Sequence, residues 1–297
     1  MKVLISGSHG LVGQALIESL TNDGHEIHRL VRRRAVGSSE IEWHPNQGQI
    51  DAEHLERFDA VVHLAGESIA SGRWSAEKKK KIRDSRVEGT RLLSRSLQQL
   101  SQPPASFVCA SAIGYYGNRG DQVLTEESSP GDDFLSKVCV EWEEATQPAI
   151  EKGIRTVNAR FGIILDKEGG ALAKMLPPFR MGVGGRIGDG KQWMSWIALD
   201  DVIGGLRLAM TNQTLLGAVN FVAPHPVTNA EFTRALGRVL SRPTLFPIPA
   251  FGVRLVFGEM ADSLLLASQR VEPARLKDLG YEFKHSEIGP TLSHVLK

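Results

Sequence analysis

Apolar residues in the first two thirds of this chain fall into two alternating rhythms, short consecutive runs and longer stretches at helical spacing. Lys2 to Ser6 is an apolar run ended by glycines, and Leu11 to Leu20 then places Leu11, Ala15, Ile17 and Leu20 on a helix face. The turn cluster Asn22-Asp23-Gly24 stops that helix before a second β-like run, Glu26 to Val31. Further runs predict strands at Asp59–Ala65, Ser106–Ser111 and within Ile154–Ile164, with helices at Ser75–Leu100 and Phe134–Lys152. Strands separated by helices of this length imply an α/β fold, a Rossmann-type doubly wound parallel sheet with helices on both faces.

Beyond Leu165 the texture changes. Residues 169–192 are glycine-rich and hold the breaker pair Pro177-Pro178, whereas Leu199–Met210 and Ala218–Val222 predict one more helix and strand of the main sheet. From Pro224 onward the pattern is mostly helical. The expected division is a dinucleotide-binding domain over residues 1–165 plus 196–223, and a smaller substrate-side region over 166–195 plus 224–297.

Charge narrows the partners. The 35 basic and 34 acidic residues nearly cancel, so no global field draws the chain to nucleic acid or anionic lipid, and a small molecule is the expected partner. The run Lys78–Lys81 lies in a helical stretch and is expected to be a solvated face. Two cysteines, Cys109 and Cys139, lack ligand spacing and no metal site is expected; they fit a reducing compartment. The apolar run before the first glycine turn is too short for a signal-peptide core or a membrane span, so a cytoplasmic protein is expected.

Gly7-Ser8-His9-Gly10-Leu11-Val12-Gly13 spaces its glycines three and three. The first permits a sharp turn, the second lets a pyrophosphate approach the backbone, and the third brings helix close to strand, while the helix start offers free N–H groups. The bare spacing is weak evidence; its place inside a βαβ unit is the confirming context. His9 reads as a turn residue. After the second strand, where an NAD site usually carries a carboxylate for the ribose 2′-hydroxyl, stand Arg32-Arg33-Arg34. Guanidinium groups there favour a 2′-phosphate and therefore NADP(H), with a solvated arginine loop as the rival reading. A second glycine-rich segment, Gly185 to Gln192, has glutamine where a Walker A loop needs a hydroxyl for magnesium, which excludes a nucleoside-triphosphatase.

With the glycine turn, several segments together resemble the extended short-chain dehydrogenases/reductases and sugar epimerases, specifically the atypical 39U branch of "epimerase family" proteins. They are His63-Leu64-Ala65-Gly66-Glu67, Ser85 to Thr90, Ser111 through Tyr116-Gly117, Pro177-Pro178-Phe179, Gln192 to Ile197 and Asn220 to Pro224. The resemblance spans essentially the whole chain. It implies an NADP(H) cradle made by the glycine turn, Arg32 and Arg33, the segment Leu64, Ala65, Gly66 and Glu67, and the strand end at Arg160 and Gly162. Arg86 stands where extended members usually carry an asparagine facing the site, which implies a cation for cofactor phosphate or an anionic substrate, against a structural salt bridge. Glu67 is open between a ligand contact and a helix cap, and Trp193 and Trp196 between pocket and core. A homodimer through two helices per subunit is the implied assembly, with Ser75–Leu100 as one candidate face.

The chemistry departs from the family. Its tyrosine exchanges a proton with substrate oxygen, helped by a lysine four residues on and by a serine or threonine. No YxxxK exists here: Lys137 keeps the lysine position, but Asp133 replaces the tyrosine and Ala112 the hydroxyl residue, with Ser111 one position early. Two readings follow. One is an NADP(H)-dependent oxidoreductase or epimerase-like protein with rearranged groups, in which Tyr116 or Ser111 donates a proton and Lys137 orients the nicotinamide ribose. The other is a cofactor-binding sensor or regulator without catalysis.

Overall fold

The computed structural model describes all 297 residues. Eight strands form the central sheet: β1 (Lys2–Ser6), β2 (Glu26–Val31), β3 (Glu40–His44), β4 (Gln49–Ile50), β5 (Ala60–His63), β6 (Ser106–Ala112), β7 (Arg155–Phe161) and β8 (Gly217–Phe221). Their spatial order is β8-β7-β6-β5-β1-β2-β3-β4, parallel except for the antiparallel edge pair β3–β4. The chain therefore builds outward from β1 to one edge, returns beside β1 with β5, and builds out the other way. Between β1 and β5 the crossover direction reverses, which is where open α/β sheets bind ligands at their strand C-termini.

Ten helices accompany the sheet: α1 (Leu11–Asn22), α2 (Ala76–Gln99), α3 (Phe134–Glu144), α4 (Gln147–Glu151), α5 (Gly170–Arg180), α6 (Leu199–Thr211), α7 (Asn229–Leu240), α8 (Ala250–Phe257), α9 (Ala274–Asp278) and α10 (Ile288–Val295). Side-chain alternation along β1 divides the core. Val3 and Ile5 face Leu16 and Leu20 of α1 and Leu206 of α6, whereas Leu4 joins Phe107, Leu93 and Trp142 on the other face. A third core lies under the C-terminal region, where Leu172, Leu176, Trp196, Phe232 and Leu292 pack together.

Local chemistry fixes several boundaries. Ser75 caps α2 by accepting the Lys78 N–H, and Asp133 caps α3 by accepting that of Ser136. Thr228 and Glu231 cap α7 reciprocally. Two expectations need correction. The stretch Phe134–Lys152 is two helices, interrupted at Ala145-Thr146, where the Thr146 hydroxyl donates to the Glu143 carbonyl and Pro148 enters the first turn of α4. The strand expected within Ile154–Ile164 is found as Arg155–Phe161, and Ile163–Leu165 pairs with Trp196–Ala198 in a separate two-stranded sheet. Pro177 and Pro178 do not break the chain but sit inside α5, where burial of Leu172, Leu176 and Phe179 outweighs the poor propensity.

Candidate functional site

The glycine turn meets its predicted geometry. Gly7 has φ +69°, and a Cβ there would lie 2.7 Å from the Leu64 carbonyl carbon, so only glycine allows the end of β1 to run this close to the end of β5. A Cβ on Gly13 would stand 2.3 Å from the Gly7 oxygen, which packs α1 onto the turn. Gly10 occupies the N-cap of α1 without a side-chain cap, leaving the first N–H groups of the helix for an external acceptor. Ser8 is buried and His9 exposed; Leu11 and Val12, half-buried, begin the helix.

Beneath the turn, Ser6 and His63, register partners at the ends of β1 and β5, pin the backbone. Ser6 Oγ accepts the N–H groups of Leu64 (3.1 Å) and Ala65 (3.3 Å) and lies 2.6 Å from His63 Nδ1. With both acceptor sites used, the hydroxyl donates to Nδ1 and the ring proton belongs on Nε2, which has no partner. Burial pushes His63 down to a pKa of about 4, so the ring stays neutral. Sequence reasoning missed this pair, although a serine and a histidine ending two buried apolar strands was the available signal.

On the rim, Arg32 is exposed and close enough to Glu67 to help lower that carboxyl's pKa, although the main cause is the Lys78 ammonium 2.6 Å away. Glu67 is therefore neither a helix cap nor a free acid. Arg33 departs from expectation: its guanidinium holds Glu40 bidentately at 2.6 and 2.7 Å, so a second free cation is not on offer. Arg86 is no salt bridge. Its Nη1 donates to the carbonyls of Glu67 (2.9 Å) and Ile82 (3.1 Å), and the guanidinium lies 5.1 Å from the Trp142 ring. Burial depresses its pKa. It sits directly under Gly66, where a Cβ would approach its Cζ to 3.3 Å.

The residues expected to act on substrate lie elsewhere, in a closed network between β6, β7 and α3. The Tyr116 hydroxyl is fully buried, donates to Asn220 Oδ1 (2.7 Å) and accepts from Arg160 Nη1 (2.9 Å); burial raises its pKa to about 12. Arg160 grips Glu143 with Nε and Nη2, both at 2.8 Å, and lies 3.5 Å from the Tyr115 ring centroid. Burial opposes its charge, but the Glu143 hydrogen bonds outweigh that and raise its pKa. Ser111 Oγ donates to the same carboxylate at 2.7 Å. The side chains of Tyr116, Ser111 and Arg160 are thus committed to partners inside the protein, which does not favour Tyr116 or Ser111 as a proton donor or the Arg160 guanidinium as a cofactor contact. Gly162 is a packing glycine, since a Cβ would lie 2.7 Å from the Ser195 oxygen. Asp133 is spent as a helix cap, and Lys137 is exposed on α3. Glu143 was missed; a carboxylate one turn after buried Cys139 was the signal.

Other candidates resolve as structure. Trp196 is core, while Trp193 donates to Asp121 (2.9 Å) beneath the Arg270 guanidinium. Gln192, at the Walker-like loop, donates to the carbonyls of Ile187 and Leu265. Lys78 to Lys81 each pair with a carboxylate.

Residues 3–220 match the family described as NAD dependent epimerase/dehydratase, and residues 248–295 a domain of unknown function, DUF1731. The chain belongs to the epimerase/dehydratase family. Among this family's curated proteins, it is 45% identical over 293 residues to "Epimerase family protein Mb2239" of Mycobacterium bovis, covering 99% of this chain and 97% of that one. It is 37% identical over 299 residues to human "Epimerase family protein SDR39U1", covering both in full. A crystal structure of human SDR39U1 (isoform 2) with NADPH superposes with a TM-score of 0.91 at 35% identity over 99% of each chain. The Bacillus cereus UDP-N-acetylglucosamine 4-epimerase matches at a TM-score of 0.75 and 17% identity over 99% of this chain and 98% of that one, a likeness of fold alone. Within this epimerase/dehydratase chain, no helix is long and apolar enough to cross a membrane.

Proposed function

We propose that this chain binds NADP(H) at the β1–β5 crossover and is an oxidoreductase or epimerase-like protein that exchanges protons outside the superfamily triad. The observation that carries the cofactor reading is the glycine turn, where two Cβ positions are sterically forbidden beside an uncapped helix start. The residues fit the group: the first N–H groups of α1 would receive the diphosphate, Arg32 the 2′-phosphate, and Arg86 Nη2, which makes no hydrogen bond in the protein, a further anionic oxygen. The NADPH-bound human relative supports the same assignment. When bound, NADP(H) supplies a hydride donor or acceptor.

What the chain adds is position and exclusion of alternatives. Ser6 and His63 hold the Leu64–Ala65 backbone against the turn. Tyr115, half-buried just past β6, carries a hydroxyl without a hydrogen-bond partner and is the acid we assign to the substrate side. The second reading, a cofactor sensor without turnover, is favoured by the locking of Ser111 and Tyr116 in the interior.

Calorimetric titration tests binding: NADPH is expected to bind at least about tenfold more tightly than NADH, and equal affinities would remove the role of Arg32. Nicotinamide absorbance followed with sugar nucleotides and carbonyl compounds separates the two readings. Turnover lost in Tyr115→Phe but kept in Tyr116→Phe supports the enzyme; tight binding with no turnover across the panel supports the sensor.

A further inference from the structure

The start of α6 and the C-terminal segment bring three donor atoms together. Asp200 Oδ2 lies 3.2 Å from His285 Nε2 and 3.1 Å from His294 Nε2, and all three lie within 4.8 Å of one another. The imidazole rings are 4.5 Å apart at 31°. A zinc ion bound at about 2.0–2.1 Å from nitrogen and oxygen donors separates tetrahedral ligands by about 3.3 Å, so two edges of that polyhedron are already in place. The third, imidazole to imidazole, closes by a swing of His294, whose side chain is 57% exposed.

The support behind these ligands is built. His285 is only 15% exposed, and the neighbouring Asp201 carboxylate accepts the backbone N–H groups of Lys284 (2.8 Å) and His285 (3.0 Å). This clamp fixes the ligand-bearing loop to the first turn of α6, as outer-shell partners do in metal sites. Two imidazole nitrogens and one carboxylate oxygen are a donor set that suits zinc.

We propose that Asp200, His285 and His294 form a site for one zinc ion per chain, completed by water, which ties the C-terminal helix α10 to α6 of the central sheet. The function is structural, a cross-link between segments 85 and 94 residues apart in the chain.

The test uses untagged, EDTA-stripped protein titrated with zinc chloride by calorimetry, with thermal unfolding and the visible absorption of the cobalt(II) form as independent readouts. The expected result is one ion per chain with micromolar or tighter affinity and a rise in Tm on the order of 5 °C at a hundredfold excess over Kd. His294→Ala, at an exposed position that leaves folding intact, should weaken binding at least about tenfold, and Asp200→Asn likewise. His225→Ala is the control, because His225 pairs with Glu287 outside the cluster, and it should leave binding unchanged. Absence of binding below millimolar zinc, unchanged binding in His294→Ala, or an equal loss in His225→Ala overturns the proposal.

Discussion

At the β1–β5 crossover polar groups are left without protein partners, whereas between β6 and β7 every polar group in the Ser111–Glu143–Arg160–Tyr116–Asn220 chain is satisfied by another. The first region has an uncapped helix start, an exposed Arg32 and an Arg86 guanidinium bonded through one nitrogen. The second has a bidentate ion pair, two hydroxyls and an amide joined at 2.7 to 2.9 Å. Buried polar groups cost free energy unless paired. A region that withholds internal partners is thus arranged for a ligand, and one that provides them is arranged for stability, even where the superfamily places its catalysts.

The comparison predicts opposite outcomes for substitutions in the two regions. The largest effect is Glu143→Ala, which strands the Arg160 charge in the interior and should cost about 3–5 kcal/mol in denaturant unfolding; a loss under 1 kcal/mol would show that the network is not a stabilising unit. Acidification comes next. His63 has its folded pKa depressed to about 4 against an ordinary 6.5, so between those values the unfolded chain binds more protons and stability falls as pH falls. The loss approaches about 3 kcal/mol by pH 4, and His63→Leu should flatten that part of a stability–pH profile. Arg32→Ala should weaken NADPH by about 1.5–3 kcal/mol and leave NADH and the unfolding midpoint unchanged in paired titrations and melts. Tyr116→Phe removes two buried hydrogen bonds and should cost about 1–2 kcal/mol of stability with NADPH affinity intact. An affinity loss there would erase the distinction between the regions.

Much of the architecture was legible. The Glu26–Val31 strand is found where its β-like run placed it, and α2 fills the stretch Ser75–Leu100 read as a helix, because both signals are local. Strand β3 was not foreseen: its buried Ile41 and Trp43 alternate with polar Glu40, Glu42 and His44 over too short a run to stand out. The proline-containing α5 was missed because its stability comes from burial against other elements, which propensity does not register.

Sequence alone determined the glycine turn, since a left-handed φ and two contacts too close for a Cβ demand glycine whatever surrounds them. It also determined the absence of the YxxxK pair, which is a matter of spacing. Tertiary structure decided which charges are free. Arg32 and Arg33 are adjacent in the chain, yet only Arg33 meets Glu40; Arg160 meets Glu143 on a helix packed across the sheet; and Asp200 meets two histidines more than eighty residues on. Ion pairing falls off within a few ångströms, and distances of that order between remote residues exist only once the chain has folded.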